Sequence, residues 1–361
     1  MKGKPLTEVR YHPTTVGAWE AMLVACQQAS QAIDLEEYIL KPDEIGTRFL
    51  EVLLAKTKSG ITVRLILDWY GCRELYRSAW HQRLTEAGAD VYFYHPPQAS
   101  WLVPTRFFPR NHRKVLMVDN EIAFVGGICL YDKIRSWRDT MTEVRGGTLP
   151  KDIKRVFDAT AEAIDTQKPA RETQLVSAND PHSPFHLYVN SPAQEARAFT
   201  EVFYNLLKSS ERRIWMTTPY FVPTTQLQQT LLAAAQRGVE VKILLSKYSK
   251  RTAHILGKAL IGPLIQAGVE VRYYQPDMLH LKQILIDDWA AIGSFNLDSL
   301  SVKRNEELMI TSQDPDVLET LESHWHNDIQ QSQAVSYQDW QQRALQQKVL
   351  ETTLWPLRAY I

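Results

Sequence analysis

The sequence predicts an α/β fold of two homologous domains, and three observations support that prediction. Helical and strand patterns alternate along the chain, which is typical of α/β proteins. The same order of patterns occurs twice, with Gly60 matching Gly238. A His-x-Lys-x4-Asp pattern also stands at corresponding places in the two halves. Two copies of one ancestral unit explain this better than one large sheet, because periodicity alone would not repeat the polar residues.

The first half opens with an amphipathic helix pattern over residues 18–26, and the apolar strand that follows it ends near Tyr38. A second helix is predicted from Gly46 to Lys58, with Gly60 just after its end. Residues 62–67 are rich in β-branched and apolar side chains and are predicted to form the next strand.

The second half repeats this order. A helix pattern over residues 199–208 precedes a strand pattern over residues 214–220. Another helix ends at Gly238, and residues 239–245 are predicted to form the strand after it. Each element of the first half therefore has a counterpart in the second.

The boundary between the halves is predicted from composition. Residues 173–192 are polar and contain several Ser, Asn, Asp and Pro residues, which is typical of a connection. We therefore expect an N-terminal domain over residues 1–170, with the first motif. The C-terminal domain is expected over residues 171–361, with the second motif and a helical tail.

Composition and charge describe an ordinary folded protein. Hydrophobic residues make up 44% of the 361 residues and charged residues 23%, values that allow a core in each domain. The 41 Lys and Arg residues balance the 41 Asp and Glu residues. A nonspecific nucleic-acid binder usually has a basic excess, so the balance counts against that class of protein.

Cysteine usage and hydropathy indicate where the protein works. The three cysteines, Cys26, Cys72 and Cys129, form no CxxC pair and fit a reducing compartment. The N-terminal residues show no apolar core of a signal peptide, and no stretch approaches the ~20 apolar residues of a membrane span. We therefore expect a cytoplasmic protein that reaches lipids, if it acts on them, as a peripheral protein on the inner face of the cell membrane.

The spacing within the repeated motif explains its chemistry. His112 and Lys114, like His280 and Lys282, stand two positions apart, so on a strand both side chains project from one face. An imidazole and an ammonium can then meet the same anion. If the two pairs meet, one neutral imidazole can attack phosphorus while the other, protonated, donates to the leaving alkoxide. The lysines would neutralise the phosphoryl oxygens.

The third motif residue follows an apolar run at an odd spacing, where the chain is expected to turn. Asp119 and Asp287, grouped with the catalytic motif, are therefore expected to hold the turn by accepting backbone hydrogen bonds. The next strand in each half ends at small residues, and these let backbone approach a ligand closely. Gly127, Ser294 and the nearby Asn296 are accordingly candidate substrate-binding residues.

A catalytic imidazole needs a partner for its other ring nitrogen. Asp139 lies 27 residues after His112, and Glu306 lies 26 residues after His280. Six residues separate Asp119 from Gly126, and five separate Asp287 from Gly293, so these spacings also differ by one. The two acids are therefore predicted to be equivalent orienting residues. No divalent metal or other cofactor is expected, because the usual metal-ligand spacings are absent.

These motifs resemble those of the phospholipase D superfamily over most of the chain, with finer similarity to bacterial cardiolipin synthases. The finer similarity rests on residues 137–140, 218–223 and 293–306 and on Trp340 with Arg343. It implies two αβ domains with mixed sheets, related by a pseudo-twofold axis, with one active site between them.

The resemblance also implies the reaction. It implies transfer of a phosphatidyl group between alcohols through a phosphohistidine. In the family this is most often the N-terminal histidine, which favours His112, although the sequence does not distinguish it from His280. Tyr38 and Tyr220, at matching strand ends, are candidate substrate contacts. One departure is Cys129, which stands where the second half has Asn296 and where the family often has Asn.

Two segments are candidate contacts with lipid. Residues 98–110, an insertion absent from the second half, place Trp101 beside Arg106 and Arg110, a composition suited to a membrane interface. The same aromatic residues could instead pack inward as a lid. The tail from about Tyr337 has apolar residues at helical spacing, and its modest basic content favours packing on the second domain over membrane contact.

Three activities share these residues. A phosphatidyltransferase would use an alcohol acceptor such as phosphatidylglycerol, whereas a phospholipase D would use water, and the motifs do not separate them. A nuclease of the superfamily is the third. Such nucleases are often single-motif chains that dimerise, whereas this chain holds both motifs, so we expect a monomer that acts on phospholipid rather than nucleic acid.

Overall fold

The structure is a computed structural model that describes residues 7–96, 109–167, 183–191, 196–248 and 251–360. Two mixed β-sheets of the same topology form its framework. The first has seven strands in the order β1-β7-β6-β5-β2-β3-β4. These strands are β1 (Glu8–His12), β2 (Ala32–Glu37), β3 (Thr62–Asp68), β4 (Asp90–Tyr94), β5 (Val115–Val118), β6 (Ile122–Gly126) and β7 (Met141–Arg145).

The second sheet has nine strands in the order β18-β13-β12-β10-β14-β15-β17-β8-β9. They are β8 (Phe185–Ser191), β9 (Ala196–Arg197), β10 (Arg213–Thr218), β12 (Glu240–Ser246), β13 (Glu270–Tyr274), β14 (Gln283–Ile286), β15 (Trp289–Gly293), β17 (Glu307–Ser312) and β18 (Ser332–Ala334). Two short strands, β11 (Phe221–Val222) and β16 (Leu297–Asp298), pair separately. The run from β13 to β8 repeats the strand order of the first sheet, which confirms the predicted repeat.

Helices cover the sheets. Those before the second sheet are α1 (Thr15–Gln28), α2 (Glu44–Lys58), α3 (Arg73–Tyr76), α4 (Ala79–Ala87) and α5 (Leu149–Thr166). The later ones are α6 (Ala198–Ser209), α7 (Thr225–Gln236), α8 (Arg251–Gln266), α9 (Ser299–Lys303), α10 (Pro315–Gln330), α11 (Tyr337–Gln341) and α12 (Leu345–Leu354). Short 3-10 helices span Asp132–Ile134 and Trp355–Tyr360. Within the described residues, no helix is both long and apolar enough to cross a bilayer.

The paired glycines of the repeat end equivalent helices. Gly60 and Gly238 follow α2 and α7 with φ of 83° and 88°, the left-handed conformation that commonly terminates a helix. A side chain other than Gly would be strained there. The predicted ends of these helices are thus confirmed, and the next strand begins within two residues of each glycine.

One segment differs from its predicted structure. Phe185–Ser191, assigned to the polar connection, form β8 and pair antiparallel with β17. Phe185, Leu187 and Val189 alternate into the core, so a period-two pattern lies inside a stretch judged by its polar residues.

The two sheets share a hydrophobic core where they meet. Val115, Met117 and Val125 of the first sheet belong to the same buried cluster as Leu285 and Ile292 of the second. Strand β6 contacts both β15 and β17 across this interface. The strands that carry the two motifs are therefore held against each other by buried apolar surface, the main stabilising contribution in a protein core.

Candidate active site

Equivalent backbone bridges hold the two histidine motifs together. His112 and His280 lie just before β5 and β14, and each is followed two residues later by its lysine. The N–H of His112 donates to the carbonyl of Glu306 at 3.0 Å, and the N–H of His280 donates to that of Arg138 at 2.8 Å. Each bridge joins one half of the chain to the other, so the motifs form one composite site.

Each imidazole is held by a carboxylate from the opposite half. His280 Nδ1 lies 2.7 Å from Asp139 Oδ2, and His112 Nδ1 lies 3.1 Å from both carboxylate oxygens of Glu307. All four side chains are buried. Asp139 therefore contacts an imidazole as expected of an orienting residue, but the imidazole belongs to the second motif.

The prediction that Glu306 orients a catalytic imidazole is wrong. Its carboxylate accepts a hydrogen bond from Arg113 Nη2 at 2.6 Å, within a buried ion pair that also crosses between the halves. Glu307, the next residue, occupies the position at His112. Neighbouring residues of an extended chain point to opposite sides, so a one-residue shift exchanges the two environments.

The one-residue shift from Glu306 to Glu307 arises from two differences in segment length between the halves. The two differences cancel over the spacing from the histidine to its equivalent carboxylate. The turn between β5 and β6 has three residues, 119–121, whereas that between β14 and β15 has two, 287–288. The second half regains a residue later, since Glu307 follows Ser294 by 13 residues and Asp139 follows Gly127 by 12. The equal 27-residue spacing from His112 to Asp139 and from His280 to Glu307 is the sequence signal that could have identified Glu307.

Two serines fix the Glu307 carboxylate. Ser294 Oγ donates to Oε2 at 2.5 Å, and Ser301 Oγ, on α9, donates to Oε1 at 2.6 Å. Ser301 is itself placed by the backbone of Asn296, whose N–H donates to its Oγ at 3.1 Å. Ser294 and Asn296, predicted to contact substrate, therefore support the carboxylate. Ser301 was not predicted, because its role depends on the path of α9.

In the first half, Gly127 stands at the position that Ser294 occupies in the second half. A Cβ at this position would lie 2.5 and 2.6 Å from the two carboxylate oxygens of Asp139, well inside van der Waals contact. Gly127 is therefore required for Asp139 to reach His280. The two halves use different combinations, Gly with Asp and Ser with Glu, to hold equivalent imidazoles.

The two lysines lie buried beside the imidazoles. Lys114 Nζ and Lys282 Nζ each donate to the carbonyl of the histidine in their own motif, at 2.5 Å. Lys282 Nζ also lies 3.1 Å from His280 Nε2, the ring nitrogen that Asp139 does not engage. Burial, together with repulsion from Lys114, lowers the pKa of Lys282 to about 8. The two lysines therefore lie in the buried interior of the site, next to the imidazoles.

Burial also governs the histidines. It lowers the pKa of His112 to about 4 and that of His280 to about 3, although Glu307 and Asp139 act in the opposite direction. Both imidazoles are therefore neutral near pH 7 in the free protein. Because His112 Nδ1 faces a carboxylate that only accepts, its ring proton belongs on Nδ1 and its Nε2 lone pair remains available. At His280, the Lys282 ammonium lies 2.8 Å from Nδ1 and 3.1 Å from Nε2, beside the Asp139 carboxylate.

Aromatic rings line the same site. The ring of Tyr38 packs edge-on against His112 with centroids 4.9 Å apart, and Tyr220 packs in the same way against His280 at 6.1 Å. Trp137 lies 5.3 Å from His280. The structure thus places both predicted tyrosines beside the imidazoles, in equivalent positions.

The motif aspartates lie at the opposite ends of their strands. Asp119 accepts hydrogen bonds from the backbone N–H groups of residues 30–32, at 2.7–2.9 Å for the shortest to each. Asp287 does the same for residues 211–213, at 2.9–3.0 Å. Both carboxylates therefore stabilise the turns after β5 and β14, as expected, and both lie at the ends of these strands away from the imidazoles.

Of the remaining residues singled out from the sequence, the structure describes Arg110 and Cys129. Arg110 is buried and stacks over the ring of Tyr70 at 4.5 Å, and Cys129 is buried with its thiol pKa raised to about 12 by burial. Trp101 and Arg106 lie outside the described residues. Among the residues that are described, no group of three or more His, Cys, Asp or Glu side chains is arranged to hold a metal ion.

Two halves of like topology, with paired His-Lys motifs and crossed carboxylates, define an enzyme of the phospholipase D superfamily. Sequence comparison supports this and identifies the family. The profile described as "Cardiolipin synthase, PLD-like domain" matches residues 22–159 and 203–329, and the chain belongs to that family.

Individual relatives agree with this assignment. The chain is 30% identical over 341 residues to the cardiolipin synthase of Halalkalibacterium halodurans, covering 91% of this chain and 67% of that protein. It is 27% identical over 361 residues to cardiolipin synthase 2 of Bacillus anthracis, covering 96% and 69%. The crystal structure of phosphatidylserine synthase from Haemophilus influenzae Rd KW20 shares the fold, with a TM-score of 0.79, 14% identity and coverage of 98% and 95%.

Proposed function

We propose that this protein is a phosphatidyltransferase of the cardiolipin synthase type, which moves a phosphatidyl group between alcohols through a phosphohistidine without a metal ion. The observation that carries the proposal is the pair of buried imidazoles, each held at Nδ1 by a carboxylate of the opposite half. The names of the relatives support phospholipid as the substrate.

In the first step, His112 Nε2 attacks phosphorus and forms a P–N bond, while the bond from phosphorus to the leaving alcohol breaks. Glu307 keeps the His112 proton on Nδ1, which directs the Nε2 lone pair toward the substrate. His280 must donate a proton to the leaving oxygen. Its pKa is too low for this in the free protein, so we propose that the bound phosphodiester anion raises it.

In the second step, the acceptor hydroxyl gives its proton to the now neutral His280 Nε2 and attacks phosphorus. The P–N bond breaks, and His112 is regenerated. Lys114 and Lys282 neutralise the phosphoryl oxygens as charge spreads over them in both transition states, the contribution that a metal ion makes in other phosphoryl-transfer enzymes. We propose that the enzyme acts as a monomer, peripherally bound to the membrane that holds its substrate.

The test is product analysis. The protein is incubated with phosphatidylglycerol vesicles, and the lipids are identified by mass spectrometry. Cardiolipin together with free glycerol is the expected result, unchanged by a chelator. Phosphatidic acid alone would show that water is the acceptor and that the protein is a phospholipase D. Strong inhibition by the chelator would contradict the metal-free mechanism, and cleavage of DNA without lipid turnover would contradict both lipid functions.

A further inference from the structure

The C-terminal segment presents apolar side chains to solvent at one face of α12. Leu345 is 77% exposed, Val349 is 58% exposed, and Trp355, in the 3-10 helix after α12, is 38% exposed. Leu345 and Val349 stand four residues apart, so both project from the same side of the helix. We call these three residues the C-terminal apolar face.

The opposite side of α12 is fixed to the second domain. Leu354 packs against a buried cluster that contains Val222, Leu256 and Leu260. Glu351, 5% exposed, is held by Arg343 through two hydrogen bonds of 3.0 and 3.1 Å. The C-terminal apolar face is thus the outer surface of an anchored helix.

The helix before it adds a second anchor. Trp340, on α11, donates from Nε1 to the carbonyl of Lys258 at 2.7 Å. A Cβ on Gly262 of α8 would lie 2.1 Å from the Trp340 ring, so this glycine leaves room for the indole. The tail therefore packs on the second domain, as expected, through its inner side. The C-terminal apolar face lies on its outer side.

The exposed charges of this segment have one sign. Among residues 345–360, Glu351 is the acidic residue, and it is buried against Arg343. The basic residues are Lys348, exposed and donating from Nζ to the carbonyl of Gln341 at 2.8 Å, and the half-buried Arg358, whose guanidinium lies over the Trp355 ring at 4.3 Å. Apolar side chains flanked by cations fit a membrane surface that carries anionic lipid.

The C-terminal apolar face also lies close to the catalytic groups. Tyr220, whose ring packs against His280, contacts the same cluster on which Leu354 rests. The 3-10 helix that contains Trp355 contacts α9, the helix that carries Ser301. The inner side of α12 and the cluster beneath it therefore connect this segment to the residues around His280.

We propose that the C-terminal apolar face is a docking surface for anionic phospholipid bilayers, which holds the active site against its lipid substrate. The proposal rests on the proposed function, because it assumes a substrate that resides in a membrane. Leu345, Val349 and Trp355 enter the interfacial region of the bilayer, while Lys348 and Arg358 lie at the level of the lipid phosphates.

The experiment measures binding and turnover separately. Cosedimentation with vesicles of phosphatidylglycerol and phosphatidylcholine is compared for the wild type and the triple variant Leu345→Ser, Val349→Ser, Trp355→Ser. We expect the vesicle partition coefficient to fall about tenfold or more in the variant. Turnover of a short-chain phosphatidylglycerol below its critical micelle concentration should remain within about twofold, because the monomeric substrate needs no docking.

Two control variants define the comparison. Val16→Ser with Val24→Ser removes two apolar side chains of α1 that are 40% and 48% exposed, and it should bind vesicles as the wild type does. Lys348→Glu with Arg358→Glu keeps the apolar residues and should weaken binding to anionic vesicles at low salt, with little change on pure phosphatidylcholine. This charge variant also tests the surface if the triple variant is poorly folded.

The outcomes distinguish this proposal from the proposed function. Wild-type binding by the triple variant, or no vesicle binding by the wild type, would overturn the docking surface even if lipid turnover is observed. Conversion of a dimer to a monomer by the triple variant would show that a second copy covers this face, and would also overturn it. Vesicle binding that depends on these residues, without turnover of any phospholipid, would support docking and contradict the proposed function.

Discussion

The two imidazoles are held by different carboxylates in different ways. Asp139 reaches His280 because Gly127 leaves it room, whereas Glu307 is longer and is fixed by Ser294 and Ser301. Buried ionised carboxylates are tolerated only when they are paired and hydrogen-bonded. His112 and Lys114, with the Ser294 hydrogen bond, lower the pKa of Glu307 despite its burial. It therefore remains an anion at neutral pH.

Replacing Glu307 by Gln should slow the reaction. The amide lacks the charge that stabilises the His112 imidazole during transfer and can also donate to Nδ1, which would move the ring proton to Nε2. We expect kcat to fall about 10²- to 10⁴-fold with a small change in melting temperature. Ser301→Ala should give a smaller loss of about five- to tenfold, because the hydrogen bonds from Ser294 and His112 to the carboxylate remain.

Glu306→Gln is the matched control for this prediction. It removes the nearer of the two carboxylates paired with the buried Arg113, the other being Glu36, and should lower the melting temperature, while kcat per folded molecule changes little. The opposite pattern, in which Glu306→Gln abolishes turnover and Glu307→Gln does not, would contradict the assignment of Glu307 to His112.

The histidine pKa values predict how stability depends on pH. In the unfolded chain a histidine titrates near 6.5, whereas His112 and His280 have pKa values of about 4 and about 3 in the fold. As the pH falls below about 6.5, the unfolded state gains protons that the native imidazoles do not. The free energy of unfolding should therefore fall, by at most about 1.4 kcal/mol per pH unit for each histidine.

Urea unfolding between pH 7 and pH 4.5 measures this effect. His280→Gln keeps a donor for Asp139 but removes the titrating ring, so its unfolding free energy should depend less steeply on pH than that of the wild type. Equal slopes for the two proteins would show that His280 is not held neutral in the fold.

At the scale of elements, the β5–β6 and β14–β15 hairpins carry the motifs. Each hairpin is tied at its turn by an aspartate, and each ends near the site at a small residue. The His-Lys pair of each motif thus lies at one end of a strand, and the Asp of the same motif lies at the other end. In the proposed function the His-Lys pairs carry the chemistry, whereas Asp119 and Asp287 hold the hairpins through backbone hydrogen bonds.

Asp119→Asn and Asp287→Asn test this division. Each substitution removes the charge that accepts hydrogen bonds from three consecutive backbone N–H groups. We expect each to lower the free energy of unfolding by about 1–2 kcal/mol. Steady-state kinetics, corrected for the folded fraction, should give a kcat within about threefold of the wild type. A loss of several orders of magnitude with unchanged stability would show that these aspartates act in the chemistry.

At the scale of the whole molecule, much of the fold could be predicted because the repeat is local information. Gly60 and Gly238, the strand patterns and the duplicated motif each appear in consecutive residues. The crossing of the carboxylates could not be predicted in this way. It depends on how the two halves dock, and the shift from Glu306 to Glu307 depends on a turn one residue shorter and a later segment one residue longer.

The crossed arrangement makes each half incomplete. The first half supplies Asp139 to His280, and the second supplies Glu307 to His112, so neither His-Lys pair has its carboxylate without the other half. Both pairs therefore form one site rather than two independent ones. The proposed function therefore predicts at most one covalent intermediate per chain.

Identification of the covalent intermediate would show whether the two His-Lys pairs act as one site. The enzyme is mixed with phosphatidylglycerol labelled in its phosphate, quenched in alkali during the first turnover and digested for peptide mass spectrometry. We expect a single phosphohistidine on His112, with at most one label per chain, and no label in His112→Ala. Label on both His112 and His280, or on neither during active turnover, would contradict a single composite site that works through a phosphohistidine.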